Sequence, residues 1–265
     1  MNPLNVDDIR EAITNTITIS ANNSTRSLQK QIGPSEVGEP CSRKLAYKLM
    51  SIPHATITRD PWRSIIGISG HAWLAEAFEE ANTRLGFTRW IVEERVTINE
   101  HLAGSCDIYD ANTNTVLDWK IVGPSAMKKY RKGPSEQYRT QVHLYALGHV
   151  NAGRAVDDVG IVFLPQAGQL DDMLIHVEPY DPVRAREAVD RVDALRALTN
   201  GVTDPVKASQ ILNLIPKTPA IGGCRYCSWQ RDGSNDLLTG CPGDGVESNW
   251  IAGLETIPTI RKARL

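Results

Sequence analysis

The run Thr115-Val-Leu-Asp-Trp-Lys-Ile-Val122 constrains this chain more than any other segment. Val116, Leu117, Trp119 and Ile121 put apolar side chains on both faces of an extended backbone, so the strand needs cover on each side. A strand of that kind belongs inside a sheet flanked by helices. Asp118 is then mostly buried, and a buried ionised acid needs a partner to offset its lost hydration.

The rest of the chain offers those partners in a readable order. Trp90–Ile98, Gly104–Tyr109 and Thr115–Val122 read as three strands of a meander. A helix is expected before them from about Ser64 to Leu85, with Leu74, Ala75, Phe78 and Ala81 at helical spacing and His71 on the same stripe, turned toward the core. After them come a helix from Pro134 to about Leu147, stopped by Gly148, a strand at Val159–Leu164, a further strand at Met173–Val177 and a charged helix from Pro182 to Thr199. Two short helices are expected between Ser35 and Met50, a loop from Ile52 to Pro61, and one short helix over Val6–Ile13. The expected fold class is α/β, a mixed central β-sheet flanked by helices. It comprises a peripheral arm at 1–32 and one domain at 33–265, closed by a Pro- and Gly-rich segment at 221–245 that carries cysteines. A chain of 265 residues can bury one sizeable core of that kind.

Composition excludes several classes. With 41% hydrophobic and 23% charged residues the chain is ordinary for a globular protein. No apolar run approaches the roughly 20 residues that span a bilayer, and Met1-Asn2-Pro3-Leu4-Asn5 lacks the basic and apolar regions of a signal peptide, so a cytoplasmic protein is expected. The net charge of −2 supplies no general attraction to nucleic acid, and any such contact must come from local basic patches. No Gly-x-x-x-x-Gly-Lys-Ser/Thr loop occurs, so a helicase motor would be a separate partner.

Asp118 and Lys120, two residues apart, share one face of their strand. If Asn112-Thr113 is the hairpin loop, Asp107 lies directly across from Asp118. One arrangement that relieves their repulsion is a divalent cation held by both, and hard oxygen ligands suit magnesium or manganese. Such an ion deprotonates water and stabilises charge on a phosphate, and Lys120 would hold the water or a phosphate oxygen. The alternative is a surface hairpin with a cross-strand ion pair. Glu93 and Glu94 would be supporting acids, only one of which can face the site; neither is counted as a ligand.

The five cysteines are an odd number for a disulfide framework. Cys224-Arg-Tyr-Cys227, Cys241 and the distant Cys41 form a set able to converge as four thiolates, fastening the C-terminal segment to the helix after Cys41. Zinc and an iron-sulfur cluster are both compatible with four thiolates, and buried unligated thiols are the alternative. Cys106 reads as a packed core thiol on the face opposite Asp107.

Taken in order, Glu39-Pro40-Cys41-Ser42-Arg43-Lys44, Gly70-His71, Gly104-x-x-Asp107, Asp118-Trp119-Lys120, Gln141-x-x-x-Tyr145 and the late cysteines resemble the RecB-like branch of the PD-(D/E)XK nucleases. That branch includes iron-sulfur exonucleases of CRISPR and recombination systems and their phage relatives, and the resemblance runs from about Ser35 to Cys241. It implies a restriction-endonuclease-like core in a prokaryotic or phage-infected cell. His71, Asp107, Asp118 and the Trp119 backbone carbonyl would be metal ligands. Lys120 would be the catalytic lysine, Gln141 and Tyr145 its companions, and Cys41, Cys224, Cys227 and Cys241 the ligands of a 4Fe-4S cluster. The implied activity is a DNA exonuclease in repair, recombination or end-processing; the other readings are an endonuclease or nickase of the same fold, or a non-catalytic DNA-binding subunit.

Independently of that resemblance, Gln137, Gln141 and Tyr145 lie on one helical face, positioned to meet DNA phosphate or to orient Lys120. The segment Lys128-Lys129-Tyr130-Arg131-Lys132 joins four cations to a ring for base stacking, with Arg43, Lys44 and Lys48 as extensions of the patch; a solvated loop is the alternative.

Overall fold

The protein is described by a computed structural model over residues 5–23, 31–55, 60–218, 224 and 227–243. Parts of the expected arm at 1–32 and of the segment at 221–245 lie outside the described residues. Four helices precede the sheet, α1 (Val6–Asn22), α2 (Pro34–Val37), α3 (Ser42–Leu49) and α4 (Trp62–Leu85). The sheet consists of β1 (Trp90–Asn99), β2 (Leu102–Asp110), β3 (Thr115–Val122), β4 (Asp158–Pro165) and β5 (Leu174–Pro179), ordered in space as in sequence. Neighbours pair antiparallel except β3 and β4, which run parallel from Thr115–Asp158 to Val122–Pro165. A parallel step needs a crossover, and α5 (Pro124–Tyr130) with α6 (Glu136–Asn151) supplies it. Two helices follow β5, α7 (Pro182–Thr199) and α8 (Pro205–Leu214).

The layers bury unequal cores. On the α6 side Val96, Cys106, Val116, Leu144, Ile161 and Phe163 pack with Tyr47, Val192 and Leu212 from the outer helices. On the α4 side Ile108, Trp119 and Val162 meet Leu74 and Phe78, and Trp73 remains 66% exposed. Among the described residues no helix is long and apolar enough to cross a membrane.

Local chemistry sets the ends of these helices, with some departures from the pattern expected. The Ser135 side chain accepts from the Tyr138 N–H and starts α6, which runs through Gly148 instead of stopping there. A Cβ at Gly148 would stand 2.7 Å from the Val96 side chain, so the glycine lets α6 approach β1. At the end of α4, Gly86 takes a left-handed conformation, φ 75°, and caps the helix. Helix α8 was hidden in the Pro- and Gly-rich reading of the tail. Its signals are Pro205 at the first turn and Asp204, whose side chain accepts from the Lys207 N–H. Helix α1 continues past Ile13 to Asn22, and Ile32, expected at the end of the arm, is a buried core residue.

The C-terminal segment folds back onto the N-terminal region. The Tyr47 hydroxyl donates to the Leu237 carbonyl at 2.7 Å, the Trp229 indole to Ile52 at 2.9 Å, the Thr218 hydroxyl to Pro40 at 3.0 Å and the Arg43 guanidinium to Ile215 at 3.1 Å.

His149 on α6 is fully buried, stacked on Tyr109 at 4.8 Å, with Nδ1 accepting from Arg154 at 3.2 Å and no partner for Nε2. Burial depresses its pKa to about 4, with Glu94 opposing and Arg154 adding to the shift. The unfolded chain protonates near the ordinary histidine value of about 6.5, before the folded one does, so stability is present above that pH and is lost as pH falls toward 4. We expect a loss on the order of 2 kcal/mol across that window in urea unfolding, flattened in His149→Phe. An unchanged slope in the variant would show that His149 is not its source.

Candidate active site

The site lies where the sheet forks. β2 and β3 pair only at Ile108–Leu117, Tyr109–Val116 and Asp110–Thr115, around the turn at 111–114. That turn is longer than the Asn112-Thr113 loop expected, and the Asp110 carboxylate holds it by accepting from the Asn112 N–H and the Thr113 hydroxyl, both at 3.0 Å. The register is the one anticipated, but the ladder stops one residue short of the acids. Asp107 and Asp118 therefore do not form a cross-strand pair; they are the first residues past the fork. Asp107 Oδ2 accepts from the Trp119 N–H at 2.8 Å, and the Asp107 carboxylate still contributes to raising the Asp118 carboxyl.

Three side-chain atoms able to hold a metal ion converge there. His71 Nδ1 lies 3.2 Å from Asp107 Oδ1, and single donor atoms of His71, Glu93 and Asp107 all lie within 4.8 Å of one another. Of Glu93 and Glu94 only one faces the site, as adjacent strand positions require, and it is Glu93, neither having been counted as a ligand; its φ of 48° is left-handed. That residue reverses the ribbon. Val92 packs on the α4 side and Val96 on the α6 side, and on β2 Ile108 and Cys106 divide in the same way. The signal was in the sequence: Glu93-Glu94-Arg95 interrupts the apolar alternation of its strand. Glu94 turns away and pairs with Arg154 at 2.7 Å.

Asp118 is 1% exposed, as its apolar neighbours require. Its Oδ1 accepts from Gln141 Nε2 at 2.7 Å, while Oδ2 has no aligned hydrogen bond and lies 2.6 Å from Lys120 Nζ. Lys120 in turn donates to Gln141 Oε1 at 3.1 Å, and Gln141 Nε2 donates to the Tyr145 hydroxyl at 3.3 Å. Burial raises the Asp118 carboxyl, with the Lys120 ammonium opposing. The Asp107 hydrogen bond raises His71 against the effect of burial. These groups line a cleft of about 710 Å³ between α4, α6 and the turn of α2.

Other expected residues lie elsewhere. Gln137 donates to the Ser35 carbonyl at 2.8 Å and so ties α2 to α6 instead of facing a phosphate. The Trp119 ring packs on Phe78 at 5.3 Å, and its carbonyl belongs to the backbone between Asp118 and Lys120. Lys128, Lys129, Arg131 and Lys132 are exposed, but Tyr130 is not a base-stacking ring: it is buried and stacked on Phe163 at 4.2 Å. Nor do Arg43, Lys44 and Lys48 extend that patch. Arg43 is buried on backbone carbonyls, Lys44 pairs with Glu39 and Lys48 with Glu36.

Cys41, Cys224, Cys227 and Cys241 line one cavity of about 280 Å³, and Cys106 is buried apart from them in the core. Among the described residues no three cysteine sulfurs lie within 4.8 Å of one another. Removing charge at the first cluster should be visible directly. Glu93→Gln is expected to weaken manganese binding at least tenfold in titration calorimetry while thermal stability stays unchanged. Unaltered affinity would show that Glu93 is not among the groups able to hold the ion.

Fold and site together define an α/β protein whose mixed sheet forks around buried acids, a histidine and a lysine. No protein-family model and no curated protein matches the chain. Among solved structures it is similar to an alkaline exonuclease (LHK-Exo) from Laribacter hongkongensis, 14% identical over 70% of this chain and 91% of that one, with a TM-score of 0.47. It is also similar to a phage related exonuclease from Haemophilus somnus 129PT, 14% identical over 69% of this chain and 93% of the other, with a TM-score of 0.39. At these values the likeness carries no argument about what the chain does.

Proposed function

We propose that the chain is a metal-dependent deoxyribonuclease of the PD-(D/E)XK type that hydrolyses phosphodiester bonds from DNA ends. The observation that carries this reading is the joining of His71, Glu93 and Asp107, within 4.8 Å of one another, to the Asp118–Lys120–Gln141 network in one cleft. The donor set is oxygen with one imidazole, and Asp118 Oδ2 is a buried acceptor without an aligned hydrogen bond; both fit a hard divalent cation, magnesium or manganese. His71, Glu93, Asp107 and Asp118 would hold it, with the Trp119 carbonyl as a further donor. When bound, the ion supplies a deprotonated water and neutralises charge on the phosphate.

The chain's own groups do the rest. Lys120, held between Asp118 and Gln141, presents its ammonium to a phosphate oxygen whose charge grows during attack. Gln141 fixes both partners through its two amide atoms, and Tyr145 orients Gln141 from behind. The exposed Lys128, Lys129, Arg131 and Lys132 would steer the DNA backbone.

We further infer a 4Fe-4S cluster at Cys41, Cys224, Cys227 and Cys241, clasping the two ends of the domain. The four cysteines line one cavity of about 280 Å³, which supports a thiolate-held group there, with tetrahedral zinc as the other reading.

The test is digestion of end-labelled linear DNA and closed circular DNA with magnesium or manganese, using protein purified without oxygen. Loss of linear DNA alone, abolished in Asp118→Ala, supports an exonuclease. Cutting of circles turns the reading to an endonuclease, and no Asp118-dependent cleavage of either leaves a DNA-binding subunit.

A further inference from the structure

An ammonium carries three N–H donors, and Asp118 and Gln141 account for two of those on Lys120. Nζ lies 2.6 Å from Asp118 Oδ2 and donates to Gln141 Oε1 at 3.1 Å. The third contact is with Tyr138: the ammonium stands over the ring face, 4.8 Å from the centroid. The Lys120 side chain is 16% exposed, so water reaches little of its charge. An aliphatic neighbour would leave a poorly hydrated cation uncompensated on that side, whereas an aromatic face, negative at its centre, attracts it.

The ring is fixed by its own surroundings. Tyr138 lies on α6 three residues before Gln141, so one face of the helix presents both to the same ammonium. Phe163, the strand partner of Lys120 across β3 and β4, packs on the Tyr138 ring at 6.1 Å, and Tyr130 packs on it at 5.7 Å. Lys120 and Gln141 line the cleft, and Tyr138 stands outside it. From there the ring acts on a bound strand only through where it holds Nζ. An uncharged support matters because Asp118 is also a proposed ligand of the ion, and an oxygen shared with a divalent cation holds Lys120 less firmly.

We propose that Tyr138 is a positioning residue for the Lys120 ammonium, holding Nζ at the edge of the cleft where a phosphate oxygen would meet it. The proposal rests on the nuclease reading and goes beyond it to a residue outside the cleft. The ring face does this, and the hydroxyl is dispensable.

The test uses the full chain with end-labelled linear DNA and manganese. Tyr138→Leu is expected to lower the single-turnover cleavage rate about tenfold, with the dissociation constants for DNA and manganese within about twofold of the parent. Tyr138→Phe, which keeps the ring, should cleave within about threefold of the parent. In a Lys120→Ala background Tyr138→Leu should change nothing further. Parental cleavage by Tyr138→Leu, an equal loss in Tyr138→Phe or an undiminished loss in the Lys120→Ala background overturns the proposal. A second measurement needs no cleavage. In isotope-labelled protein the NMR signal of the Lys120 ε-methylene, identified by its loss in Lys120→Ala, should be displaced upfield by the ring, keep that displacement in Tyr138→Phe and lose it in Tyr138→Leu. An undisplaced signal in the parent refutes the contact even if DNA is cut. A displaced signal in a chain that cuts no DNA overturns the nuclease reading and the part of Tyr138 in it, while the contact itself stands.

Discussion

Exchanging Asp118 for asparagine is expected to lower metal-dependent DNA cleavage by at least three orders of magnitude while leaving the fold intact. The isosteric amide keeps the volume at a position 1% exposed, where a smaller side chain would open a cavity in β3. What it removes is a carboxylate whose Oδ2 has no aligned hydrogen bond and whose Oδ1 accepts from Gln141. It also breaks the ion pair that, at 2.6 Å, sets Lys120. The proposed metal ligand and the positioning of the Lys120 ammonium would thus be lost together, so the effects of Asp118→Asn and Lys120→Ala should be far from additive. Single-turnover digestion of linear DNA by both variants and the double variant reads this out. Residual activity within tenfold of the parent in Asp118→Asn would place the chemistry elsewhere.

The second large effect is expected at the cysteines. Replacing Cys41 or Cys227 by serine should abolish iron and sulfide content and lower the melting temperature by about 10 °C or more. For a chain of this size roughly 2–4 °C corresponds to 1 kcal/mol, so that shift is a loss of several kcal/mol. Cys41 stands at the start of α3 and lines one cavity with Cys224, Cys227 and Cys241, so its removal would cut the proposed link between that helix and the tail. Complete unfolding is not expected, because Tyr47 to Leu237, Trp229 to Ile52 and Thr218 to Pro40 hold the tail through hydrogen bonds that need no metal. A variant with unchanged melting and unchanged metal content would refute the clasp, and zinc in place of iron and sulfide would correct its chemistry.

The strand Thr115–Val122 was legible in sequence because its apolar residues sit on both faces, a pattern that a covered strand alone explains. Helix α7 was legible because Pro182 starts it and Asn200-Gly201 ends it, both local signals. The same locality made Asp118 and Lys120 neighbours on one face, since two residues of extended chain fix that relation before any packing occurs.

Tertiary structure decided the rest. Neither the point at which β2 leaves β3 nor the left-handed Glu93 follows from a pattern of period two, yet together they bring Glu93 and His71 to Asp107. Tyr130 read as a surface ring because charged neighbours surround it in sequence, but Phe163 lies across the parallel crossover and buries it. By itself the sequence determined the covered strand, the helices with strong caps and the chemical types at the site, because those depend on neighbours a few bonds away. Where the sheet forks, which acid turns inward and which cations remain unpaired depend on contacts between segments far apart in the chain, and only packing sets those.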